Sequence, residues 1–160
     1  MYKIGVVGAG HLGKIHLKIL QNAPFVNLVG FFDSDPKVRE EIKSKFNIKS
    51  FDSYRELIDS SDIVDIVTPT LSHFNCAKEA LKSNKHVFIE KPVTHTVEEV
   101  KKLIKLAQIS GRKVQVGHVE RFNPAFTEAQ KLINQPRFIE VHRLAQFNSR
   151  GTDVSVIHDL

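Results

Sequence analysis

Cysteine occurs once, at Cys76, so no internal disulfide can form, and a lone thiol fits a reducing compartment. No apolar run approaches the ~20 residues that a bilayer-spanning helix needs. The first residues, Met1-Tyr2-Lys3-Ile4, enter an apolar segment at once and leave no room for a cleavable leader. No histidine pair stands at a metal-ligand spacing and no Cys/His cluster exists, so no metal is expected. No basic block carries interspersed aromatics, although the net charge is +5 and the pI about 9.4. The lysines fall on presumed helix faces with acids interleaved, as in Arg39-Glu40-Glu41, and read as solvated surface with some attraction for anionic ligands. No repeat or low-complexity stretch is present. These absences point to a soluble, cytoplasmic protein with no nucleic-acid partner and no membrane.

What the chain does have is enough apolar residue, 41% of 160, for one good core. Apolar runs at 3–7, 26–33, 63–67, 86–89 and 113–116 read as strands, with a short edge strand near 49–51. The run at 63–67 is continuous, as a strand covered on both faces requires. Helical patterns alternate with them. Residues 12–22 form the first, with Leu12, Ile15, Ile19 and Leu20 expected inward. Asp35-Pro36 opens the next, proline taking a first-turn place where no N–H is needed. Ser53 with Glu56, and Thr96 with Glu99, have the spacing of capping boxes, the first for a helix to Asp59 and the second for one ending near Gly111. A further helix is expected over 72–83. This β-α-β-α rhythm specifies an α/β fold with a doubly wound parallel sheet, a Rossmann domain, over residues 1–122. The remainder, 123–160, reads as the truncated start of an α+β substrate domain. Asn123-Pro124 begins a short helix to about Asn134, Pro136 breaks it, 138–147 alternates as one strand of a half-buried sheet, and 154–160 starts another helical pattern.

The first strand runs into Gly8-Ala9-Gly10-His11-Leu12-Gly13, and twenty residues after Gly13 the second strand closes on Asp33. Strand, glycines, helix, strand and terminal acid in this order make a dinucleotide-binding unit. Gly8 allows the tight turn, Gly10 lets a pyrophosphate approach the backbone, and Gly13 lets the helix pack on the sheet. Asp33 would accept hydrogen bonds from the adenosine ribose and repel a 2′-phosphate. With Ser34 next, not an arginine, NAD is the expected cofactor. Lys91, in Glu90-Lys91-Pro92, follows a strand at the end of the sheet where ligands sit. It could exchange a proton with a hydroxyl there; the tripeptide taken alone reads rather as a solvent-facing turn lysine.

The glycine block, Thr68-Pro69-Thr70-Leu71-Ser72-His73, Glu90-Lys91-Pro92 and Gly117-His118-Val119-Glu120-Arg121-Phe122-Asn123-Pro124 together resemble the Gfo/Idh/MocA oxidoreductases, in order and over essentially all 160 residues. The resemblance implies hydride transfer from a sugar or cyclitol hydroxyl carbon to NAD, with Lys91 catalytic and also in contact with substrate. It places Gly8, Gly10, His11, Leu12, Gly13, Asp33, Thr68, Pro69, Thr70, His73, Glu90 and Lys91 along the cofactor, the lysine often preceding a cis proline. Within that family the tail is most similar to the sugar-nucleotide 3-dehydrogenases, which implies oxidation at C3 of a UDP-linked N-acetyl sugar. Arg121 could meet the cofactor and Asn123 the substrate; a surface arginine and a helix N-cap are the plainer readings. Asp159 matches the aspartate of the family's Asp-x-x-x-His pattern, whose histidine would fall three residues past Leu160. The resemblance also implies a homo-oligomer when the substrate domain is complete.

Two other readings stand beside the dehydrogenase: a non-enzymatic NAD-binding or sensing module, and an inactive fragment that associates through an exposed strand edge. The bare chain is expected to bind cofactor with little or no turnover. His73, taken alone, is a helix-start histidine; by resemblance it could approach the nicotinamide. His16 is expected to be packed and Cys76 to be a small core residue.

Overall fold

The computed structural model describes residues 1–142. The apolar runs form five strands: β1 (Tyr2–Val7), β2 (Val26–Phe32), β3 (Ile63–Ile66), β4 (His86–Ile89) and β5 (Val114–Val116). Six helices connect or follow them: α1 (His11–Gln21), α2 (Pro36–Phe46), α3 (Tyr54–Ser60), α4 (Thr70–Lys82), α5 (Val97–Ser110) and α6 (Pro124–Gln130), with a 3-10 turn at Val119–Phe122. All pairings are parallel, in the order β2-β1-β3-β4-β5. The expected edge strand at 49–51 is reduced to one bridge, Ser50 to Phe31 on the free side of β2. Counting that segment, the order is that of a dinucleotide-binding sheet, in which the chain leaves β1 toward one edge and later returns to fill the other.

Local chemistry sets the helix starts. The Asp35 carboxylate accepts the Lys37 N–H at 2.8 Å, with Pro36 in the first turn. Thr96 and Glu99 close a full capping box on α5. At α3 only half the box forms: Ser53 accepts the Glu56 N–H, but the Glu56 carboxylate takes the Asp52 N–H instead. Helix α4 begins at Thr70, two residues before the expected start, with Pro69 at its N-cap position and no side chain capping it. Helix α6 ends at Gln130, short of Asn134.

Apolar side chains from both faces of the sheet form two cores. One joins β3 and β4 to α3, α4 and α5 through Leu57, Ile66, Leu81, Ile89 and Leu103. The other seats α1 and α2 on β1 and β2 through Val6, Leu17, Phe31 and Ile42. Helix α1 departs from the expected inward set. Gly13 and Leu17 make its buried line, while Leu12 and Ile15 are each 41% exposed and Ile19 62% exposed. A wide apolar stripe implies cover on both flanks, and α1 has it on one only. Beyond it the face of β3, β4 and β5 lies open as an apolar groove of about 590 Å³, edged by Ile19 and Leu20 and floored by Ile4, Ile63 and Phe88.

Residues 138–142, expected to begin a strand, are exposed and belong to no sheet among the described residues. An isolated strand leaves its backbone groups unpaired, and among the described residues none pairs with this segment. The rest of that strand, the helical pattern at 154–160 and Asp159 lie outside the described residues.

Candidate functional site

The carboxyl ends of β1 and β3, neighbours at the point where the strand order reverses, floor a cleft of about 900 Å³. Its first wall is the glycine loop. Gly8 has φ +93°, and a Cβ there would stand 2.7 Å from the Val67 carbonyl, so only glycine fits. A Cβ on Gly13 would fall on the Gly8 carbonyl, which lets α1 pack directly behind the loop. Gly10 is different. A Cβ there would meet nothing within 4 Å and would project into open space. Helix α1 also starts without a side-chain cap and without an acid in its first turn, so its leading N–H groups keep their capacity for an anion. A bare glycine beside uncapped N–H groups fits a dinucleotide's pyrophosphate. The start of α4 supplies a second uncapped helix end to the same cleft, with Thr70 in its first turn.

Asp33 follows β2 at the far side of the loop. One carboxylate oxygen accepts the Ala9 N–H at 2.8 Å and the other the Asp35 N–H at 2.9 Å, so the side chain is held in place before any ligand arrives. Each oxygen retains a lone pair, which leaves room for ribose hydroxyls. Arg39, read in the sequence as solvated surface, donates to the Asp33 carbonyl at 2.7 Å and lies over the Phe32 ring.

Lys91 follows β4 across the cleft, half-buried, and its peptide bond to Pro92 is cis. His73 fixes this turn. Its Nδ1 lies 2.9 Å from the Pro92 carbonyl and its Nε2 2.8 Å from the Thr68 carbonyl. With both nitrogens engaged and the ring buried, His73 offers no free nitrogen to a nicotinamide or a substrate; it binds the Thr68 loop to the Lys91 turn. Burial pushes the neighbouring Cys76 thiol up to about 11, with the Glu79 charge adding to the rise. That thiol is no nucleophile.

Behind Lys91 sits a polar cluster that the sequence reading did not single out. His16 on α1 reaches Asp65 of β3 through Nδ1 at 2.8 Å and Glu90 through Nε2 at 3.3 Å. Burial works to lower the His16 pKa, but hydrogen bonds to the two carboxylates and their charges outweigh it and raise it from 6.5 to about 9. Burial holds Asp65 above the usual carboxylate range in spite of His16. Glu90 lies below its ordinary value: burial opposes this, and the hydrogen bonds from His16 and the Lys91 N–H override it. One oxygen of Asp65, Oδ1, is buried with no partner. The signal was available, since an acid inside an otherwise apolar strand must find a partner.

Of the residues expected at a ligand, the cleft brings together Gly8, Gly10, His11, Leu12, Asp33, Thr68, Pro69, Thr70, His73, Glu90 and Lys91, with Gly13 directly beneath the loop. It does not bring Arg121 or Asn123. Asn123 is an N-cap: Oδ1 accepts the Ala125 N–H at 3.0 Å and Nδ2 donates to Glu120 at 2.8 Å. Arg121 is exposed on the 3-10 turn, away from the cleft lining. Phe32, Tyr54 and Ser72 line the cleft in addition. Among the described residues, no cluster of three or more His, Cys, Asp or Glu side chains is arranged to hold a metal ion, and no helix is long and apolar enough to cross a membrane.

The oxidoreductase family GFO_IDH_MocA, defined by an NAD-binding Rossmann fold, matches residues 2–118. UDP-N-acetylglucosamine 3-dehydrogenase of Acidithiobacillus ferrooxidans is 36% identical over 159 residues, covering 99% of this chain and 50% of that protein. Its crystal structure superposes with a TM-score of 0.88, over 99% of this chain and 52% of that one. Scyllo-inositol dehydrogenase from Lactobacillus casei, solved with NAD(H) and scyllo-inositol, is 28% identical with a TM-score of 0.76, over 82% of this chain and 40% of that one. The chain thus spans about half the length of the relatives it matches.

Proposed function

This chain belongs to the Gfo/Idh/MocA oxidoreductase family, and from that premise we propose that it is the cofactor-binding half of an NAD-dependent dehydrogenase. The substrate is a sugar hydroxyl carbon, C3 of a UDP-linked N-acetyl sugar. The observation that carries the reading is one cleft holding an uncapped glycine loop, a preset ribose acceptor and a lysine on its opposite wall.

On this reading the α1 N–H groups and Gly10 receive the pyrophosphate, and Asp33 receives the adenosine ribose. NAD, when bound, supplies the acceptor for the hydride that leaves the sugar carbon. Lys91 hydrogen-bonds the reacting oxygen and stabilises the charge that develops there as its proton departs. The products are a keto sugar, NADH and a proton. The proton's acceptor belongs to the half of the enzyme that opens after residue 122, where the family pattern begins at Asp159. Residues 1–122 form the dinucleotide domain and 123–160 open the substrate domain, through which the complete enzyme self-associates in the cytoplasm. His73 keeps its place in the site as the residue that holds the Lys91 turn, and Glu90 as the one that backs it. The bare chain binds NAD and turns over nothing.

Calorimetry of NAD binding to this chain, paired with NADH production by the complete polypeptide on UDP-N-acetylglucosamine, tests the proposal. Binding with turnover supports it. Binding without turnover on any sugar or sugar nucleotide would move the reading to an NAD-sensing module, and no binding would remove both.

A further inference from the structure

We infer that His16 is a positioning residue: by bridging Asp65 and Glu90 it ties the helix that starts at the glycine loop to the turn that carries Lys91. The inference rests on the dehydrogenase reading for its effect on turnover, and on geometry alone for the coupling itself.

The path is short and continuous. Helix α1 begins at His11, beside the open cradle at Gly10, and His16 projects from it toward the sheet with its side chain only 16% exposed. Its two nitrogens reach carboxylates on β3 and just past the end of the adjacent β4. Glu90 in turn accepts the Lys91 backbone N–H through Oε2 at 3.1 Å. The Glu90 carboxylate is enclosed from a third side, because a Cβ on Gly117 would stand 2.7 Å from Oε1. A carboxylate held by an imidazole, a backbone amide and the end of β5 has one place to be. The Lys91 turn is built on it.

Stability does not require this arrangement. A buried ionic trio of this kind can be replaced by apolar side chains of similar volume at no loss, and often with a gain. The present trio also leaves Asp65 Oδ1 unsatisfied, which is costly. What the cluster provides is a fixed geometry behind the reacting lysine. The groups facing His16 are Asp65 from β3, Glu90 just after β4 and the Phe88 ring, whose centroid lies 6.0 Å away. Lys91 stands beyond Glu90. The other titratable groups of the adjoining groove are Tyr2, His86 and Lys113, and the His86 ring accepts the Lys113 N–H.

The test follows the His16 ring and the Lys91 amide by NMR across a pH titration of the isotope-labelled chain, in wild type, His16→Gln and Glu90→Gln. The Lys91 amide donates to Glu90, so its shift reports how that carboxylate is held. In the wild type it should move with the His16 ring, with a common midpoint near 9; in both variants that movement should vanish. In the complete polypeptide, His16→Gln should lower kcat by about 10- to 100-fold through misplacement of the reacting groups, with NAD affinity within about two-fold. The two substitutions together should cost no more than either alone, since they break one contact path. A Lys91 amide that stays flat while the His16 ring titrates would overturn the inference, as would an unchanged kcat. Should His16→Gln fail to fold, Glu90→Gln decides the amide test by itself. Failure of the dehydrogenase reading shows separately, as a wild-type complete polypeptide without turnover, while the amide titration still decides the coupling.

Discussion

Two glycines three residues apart, Gly10 and Gly13, should respond differently to the same added methyl group. At Gly10 an alanine Cβ meets open space, and the backbone, with φ −66° and ψ −160°, is accessible to any residue. Folding should be unaffected or gain about 0.5 kcal/mol from the stiffer unfolded chain. The methyl group would nonetheless stand where a pyrophosphate must approach, and NAD affinity should fall at least tenfold, about 1.4 kcal/mol. At Gly13 the Cβ lands on the Gly8 carbonyl, which cannot swing aside as a side chain would. Overpacking of this kind costs about 3 kcal/mol, and about 1 kcal/mol returns from alanine's better helix propensity. The net loss of about 2 kcal/mol should lower Tm by roughly 4–8 °C for a domain of this size. Calorimetric melting and NAD titration of both variants give the comparison. Gly10→Ala with wild-type NAD affinity would refute the placement of the pyrophosphate, and Gly13→Ala melting at the wild-type temperature would refute the packing of α1.

Other outcomes follow from the same geometry. Asp33→Ser should weaken NAD and narrow its advantage over NADP, because the acid that accepts ribose hydroxyls and repels a 2′-phosphate is gone; an unchanged ratio of the two dissociation constants would contradict the ribose role. Stability should decline from about pH 6.5 to about pH 9. The His16 pKa is raised on folding, so its contribution is full below the unfolded value and is lost as the pH passes the folded one. The rise corresponds to about 3 kcal/mol at most, and Asp65, held above its ordinary value, returns part of it. Denaturant midpoints across that range should fall in the wild type and stay level in His16→Gln. Cys76 should resist alkylation at neutral pH because its thiol is pushed up to about 11; labelling at the rate of an exposed thiol would show that the cleft wall opens.

The strands, the caps at Asp35 and Thr96, the glycine loop and Asp33 were legible because each depends on residues close in sequence or on a fixed spacing. Three features were not. The inward face of α1 depends on which flank of the sheet is covered, a property of packing that helical periodicity does not contain. Asp65 sits in a run of otherwise apolar residues, and its partner His16 lies 49 residues before it, with Glu90 reached by the same imidazole from just past the next strand. His73 has the spacing of a ligand-facing helix start, and only the fold brings Pro92 and Thr68 to its two nitrogens. The sequence left Asn123 open between ligand and cap, and in the structure its side chain caps α6 and donates to Glu120.

Lys91→Ala in the complete polypeptide, read as NADH production on UDP-N-acetylglucosamine beside NAD affinity on the same sample, bears most directly on the proposed chemistry. If Lys91 acts at the reacting oxygen, turnover drops by at least about 100-fold and the NAD dissociation constant stays within about two-fold. Turnover close to wild type, or an equal loss of binding and turnover, would remove Lys91 from the chemistry and leave the cleft as a dinucleotide site alone.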